Sequence, residues 1–133
     1  QVEPVRCIYT NEIVDPVKFA LDHYLPWSFV CHDQLWNLVP TMTKVNSVKS
    51  NMLPSDRYLE RFIVLQHTGL TVSRKHLSEK QWTVSAEPYL LDLKLSTYEE
   101  LLELPLLTEA YKKVVPPLME LAKVNGFRSG WEC

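Results

Sequence analysis

The chain has 133 residues, 46% of them apolar and 23% charged, with 16 acidic against 14 basic side chains. Such proportions describe a folded globular chain able to bury roughly two-thirds of its extended surface, and exclude a disordered or fibrous one. Only three glycines occur, Gly69, Gly126 and Gly130, which excludes a glycine-rich phosphate-cradling loop. No run of about 18 apolar residues is present to span a membrane.

The opening QVEPVR carries charge early and leads into no apolar stretch, so no targeting segment is expected. A start at Gln1 without Met reads as a domain taken from a longer protein. Three widely spaced cysteines, Cys7, Cys31 and Cys133, make a poor disulfide framework. They predict a reducing, intracellular setting (cytoplasm or nucleus) with Cys7 and Cys31 as small buried hydrophobes.

In chain order, VRCIYT at 5–10 suggests a short strand. Asp15 as cap and Pro16 at the first helical position open an expected helix carrying Val17, Ala20, Leu21, Tyr24 and Leu25, stopped by Pro26. Ser28 could cap a second, largely buried helix closing at Pro40. Residues 41–54 are mostly polar and read as a long connection. Ser55 caps a strong helix with a Leu59, Phe62, Ile63 stripe, and Gly69 is expected to stop it. Segment 70–88 is ambiguous. In PYLLDLKLS the alternation of Tyr89, Leu91, Leu93 and Leu95 favours a strand over 89–95 against an opposing helix begun by Pro88. Ser96-Thr97-Tyr98-Glu99 opens a short helix closed by Pro105. Thr108 caps the last helix, Pro116-Pro117 should kink or split it, and Asn125-Gly126-Phe127 supplies a Schellman ending.

The expected fold is therefore mainly α: a compact, irregular domain of about five short helices with one small β element. Its expected extent is residues 1–127, with 128–133 as a C-terminal tail.

Candidate chemistry is sparse. The histidines are His23, His32, His67 and His76, each pair nine residues apart, and no Cys-x-x-Cys occurs. Metal sites draw on closer spacings, so neither a metal nor another cofactor is expected. Cys31 lies beside His32, not opposite it, which is poor geometry for thiol catalysis. Asp22-His23 and His32-Asp33 permit ion pairs but define no site. No nucleophile elbow is present, and Glu99, Glu100 and Glu103 read as a solvated helix face.

What remains is contact surface. Four tryptophans is a high number, and tryptophan is enriched where proteins meet. The expected function is a non-catalytic, regulatory protein-interaction module with Trp27, Trp82, Leu102, Leu106, Phe127 and Trp131 as candidate contacts. The alternative is nucleic-acid binding. Residues 41–83 hold seven basic against three acidic side chains, and 56–81 resembles a helix-turn-helix presenting Arg74, Lys75, His76 and Lys80. An overall acidic chain makes nucleic acid the less expected partner. A third reading is an enzyme whose site is assembled from residues distant in sequence.

Overall fold

The computed structural model describes residues 4–133; the first three residues of the charged opening, and the first three of the expected domain, lie outside the described residues. The fold is mainly α, as the periodicities predict, with five α-helices and one two-stranded antiparallel sheet among the described residues. No helix there is long and apolar enough to cross a membrane. The chain divides into two units: residues 1–59 with 119–133, and residues 60–118.

In the first unit, residues 5–14 form a tight turn in which Asn11, at φ 65°, lets its N–H reach the Cys7 carbonyl at 2.8 Å. Strand β1 (Ala20–His23) then pairs with β2 (Leu38–Thr41), Asp22 facing Val39 and His23 facing Leu38. The helix expected over 15–25 is thus absent. Asp15 does cap, its Oδ1 accepting from the Val17 N–H at 2.9 Å, but the backbone bends and then extends. Ala20, Leu21, Tyr24 and Leu25 suit a helical stripe, yet pairing with β2 satisfies the same backbone groups and buries Tyr24 and Leu25. The second expected helix is equally fragmented. It becomes the one-turn α1 (Trp27–Val30), ended by Cys31 in the left-handed region, then a 3₁₀ turn at Leu35–Asn37 and β2. Cys31 is exposed there, not buried, whereas Cys7 is buried; no cysteine is bridged.

Helix α2 (Thr43–Lys49) occupies the expected connection. Its buried face is Val45 and Lys49, four residues apart. Hydrophobic patterning reads lysine as solvated, so half of that face was invisible in the sequence. At the other end of the chain, Leu53 N–H donates to the Arg128 carbonyl, Trp131 N–H to that of Leu53, and Ser55 N–H to that of Trp131 (2.7–3.0 Å). Trp131 is buried, its ring edge-on to Tyr9 at 4.9 Å.

The second unit is helical. Helix α3 (Leu59–His76) starts one turn after Ser55, which caps a 3₁₀ turn, and runs through Gly69. Nothing within 4 Å would meet a Cβ at Gly69; the glycine merely weakens an exposed position by about 1 kcal/mol, while Leu70 keeps the next turn anchored in the core. The chain turns instead at Leu77–Ser78, where Ser78 and Gln81 form a reciprocal capping box that opens α4 (Glu79–Asp92). The favoured strand over 89–95 is therefore the end of a helix: Tyr89 and Leu93, four apart, are buried, while Leu91 is exposed.

Glu100 reaches back to the N–H groups of Thr97 (2.8 Å) and Ser96 (3.0 Å) ahead of a 3₁₀ turn, Tyr98–Leu102. Helix α5 (Leu104–Val124) begins with Pro105 in its first turn and passes Pro116-Pro117 without a break. The carbonyls that lose their i+4 donor to those prolines belong to Lys112 and Lys113, both exposed residues. The Schellman ending is as expected: Phe127 N–H donates to the Ala122 carbonyl and Gly126 N–H to that of Lys123, with Gly126 at φ 96°.

The hydrogen bonds from Thr97 and Ser96 hold the Glu100 carboxyl below its ordinary value of 4.5. A depressed folded-state value contributes stability above the unfolded value and loses it as pH falls through the folded one. Melting temperature should therefore fall between about pH 5 and pH 3, and Glu100→Gln should flatten part of that slope. A slope identical in both proteins would show that the cap adds nothing.

Candidate active site

Strand β1 places neighbouring residues on opposite faces. Asp22 points inward and is 1% exposed. Its Oδ2 accepts a hydrogen bond from the Tyr9 hydroxyl at 2.5 Å, and its Oδ1 lies 3.2 Å from Lys49 Nζ, delivered from the last turn of α2. Lys49 is completely buried and also donates to the His23 carbonyl at 2.8 Å. Burial disfavours every charge here. It raises the Asp22 carboxyl despite Lys49 and Tyr9, lowers the Lys49 ammonium despite Asp22, and drives the Tyr9 phenol well up, with the Asp22 charge adding to that rise.

His23 sits on the opposite face. Its Nε2 is 2.7 Å from Asp33 Oδ1, with the two side chains 25% and 74% exposed. When Asp33 is ionised it fixes the proton on Nε2, leaving Nδ1 as the nitrogen able to take a proton from water. The backbone just beyond is held by Asn37, which is buried. Its Oδ1 accepts from the Leu25 N–H at 2.8 Å, its Nδ2 donates to the Leu25 carbonyl at 2.9 Å, and its own carbonyl accepts from the Tyr24 N–H at 2.9 Å. A partly exposed imidazole, oriented by a carboxylate and seated on a braced strand end, is the arrangement of a general base.

Residues 7–55 match the family model described as HNH endonuclease.

No curated protein and no solved structure matches the chain. The matched segment lies within the first unit and contains Tyr9, Asp22, His23, Asp33, Asn37 and Lys49. This endonuclease match overturns the expectation of a non-catalytic, regulatory protein-interaction module, and with it the judgement that nucleic acid is the less expected partner. Local spacing alone failed because the site comes from four separate stretches of sequence. Only Asn37 adjoins an apolar residue that the fold buries, Trp36; Asp22 and Lys49 follow Leu21 and Val48, which are exposed, so their burial left no local signal.

The residues expected to form a protein-binding surface are divided between the units. In the first, Trp27 is 51% exposed, Phe127 is half-buried edge-on to Phe29 at 5.7 Å, and Trp131 is buried. In the second, Trp82 is buried with its Nε1 donating to the Leu70 carbonyl at 3.0 Å, Leu102 is half-buried and Leu106 exposed. The basic residues behave differently. Arg74, Lys75 and His76 end α3, Lys80 lies in the first turn of α4, and all four are exposed. The Arg74 guanidinium lies 5.7 Å from the centroid of the Trp82 ring.

Nuclease chemistry commonly draws on a divalent cation to stabilise charge on the phosphate. As arranged, the residues do not fit one. Both Asp22 oxygens are engaged, one by an ammonium, and no three His, Cys, Asp or Glu residues converge among the described residues.

Proposed function

We propose that this protein hydrolyses phosphodiester bonds in nucleic acid, with His23 as the base. Water is deprotonated at His23 Nδ1, its oxygen attacks phosphorus, and the bond from phosphorus to the leaving oxygen breaks, that oxygen taking a proton from solvent water. Asp33 holds the imidazole in the tautomer this needs and stabilises the imidazolium that forms. The supporting observation is that the endonuclease match over residues 7–55 spans both the His23–Asp33 pair and the Asn37 brace behind it. The test is incubation with end-labelled single- and double-stranded DNA and RNA, with and without Mg²⁺. Discrete internal cleavage products support the reading, and intact substrates under all conditions sink it.

The second unit supports a grip on the same class of substrate. Arg74, Lys75, His76 and Lys80 cluster where α3 meets α4, with Glu79 the acidic residue among them. Arg74→Ala with Lys75→Ala should weaken binding to a fluorescent oligonucleotide and flatten its salt dependence by about one unit of log–log slope per lost phosphate contact. Anisotropy titrations at several salt concentrations read this directly. Identical slopes would remove these side chains from the interface.

A further inference from the structure

We infer that Lys49 is a positioning residue, whose buried ammonium sets the carboxylate of Asp22 and the peptide carrying His23 in place; the inference rests on the nuclease reading of that site. Lys49 Nζ touches both residues of the pair, Asp22 through a side-chain oxygen at 3.2 Å and His23 through the backbone carbonyl at 2.8 Å. Tyr9 closes the arrangement from the other side by its bond to Asp22 Oδ2, and its ring is clamped edge-on by Tyr58 at 5.0 Å and Trp131 at 4.9 Å. Two consecutive residues of β1 are therefore held from below at three polar atoms, immediately before the stretch braced by Asn37.

Stability alone is a poor explanation for such a pair. Ions removed from water lose more solvation than a mutual contact commonly returns, and apolar residues of the same volume serve a core equally well. Burial indeed disfavours both charged forms here. What an ammonium supplies and a methyl group cannot is direction: several donors on one atom, able to satisfy a carboxylate and a carbonyl at once. Lys49 also lies in the last turn of α2, where a cation suits the helix end. Helix α2 thereby delivers a fixed charge beneath the strand that carries the base.

Lys49→Met keeps the length of the side chain and removes the donors. Two readouts apply: steady-state cleavage of a labelled oligonucleotide duplex, and the ¹H–¹³C imidazole signals of His23, which need no activity. The expected result is a folded protein with shifted His23 ring signals, kcat lower by about 100-fold, the cost of a misplacement of about 1 Å, and KM within twofold. Unmoved His23 signals overturn the inference, and so does an unchanged kcat in folded protein. If Lys49→Met strands the Asp22 charge and does not fold, Asp22→Asn with Lys49→Met carries no buried charge, and its His23 ring signals are judged in the same way. If the unsubstituted protein cleaves nothing while the ring signals still move, the nuclease reading fails and the positioning role stands.

Discussion

His23→Ala is expected to reduce cleavage by 10²- to 10⁴-fold, the range for losing a positioned general base, while the protein melts almost where it did before. The two effects separate because the imidazole is only partly buried and its partner Asp33 is largely exposed. An exposed ion pair of this kind contributes about 0–1 kcal/mol, so its loss barely changes folding. Asp33→Asn should cost much less, about tenfold, because solvent can replace part of what an exposed carboxylate does for the tautomer. Rate measurements on protein shown by calorimetry to be folded check both. Cleavage by His23→Ala at the original rate would move the chemistry elsewhere in the chain.

Asn37→Ala is expected to do the reverse, lowering stability first and activity as a consequence. Asn37 satisfies both the N–H and the carbonyl of Leu25, and all of these groups are buried. Truncation leaves a donor and an acceptor without partners, at about 1–3 kcal/mol each. The expected loss is about 2–6 kcal/mol, a drop in melting temperature on the order of 10 °C. Leu25 follows His23 by two residues, so cleavage should fall as well, even at temperatures where the variant is folded. Asn37→Asp keeps the acceptor for the Leu25 N–H but sets a buried, unpaired carboxylate against the Leu25 carbonyl, and should be at least as destabilised as Asn37→Ala. Urea melts of the three proteins measure the ordering. Equal stability of Asn37→Ala and the unsubstituted chain would refute the brace.

Helical content, the cap at Ser55 and the Schellman turn at 125–127 were all legible in the sequence, because each depends on groups within a few residues of one another. The hairpin of β1 and β2 was not legible, since its register joins Ala20 to Thr41 across intervening turns and the same apolar residues suit a helix. The site was lost for a related reason. Periodicity assigns aspartate, asparagine and lysine to the surface, whereas Asp22, Asn37 and Lys49 are buried by partners 12 to 27 residues away in the chain. Local chemistry decided where helices begin and end; only tertiary pairing decided which polar side chains could be taken out of water, because each needed a distant partner to replace the solvent it lost.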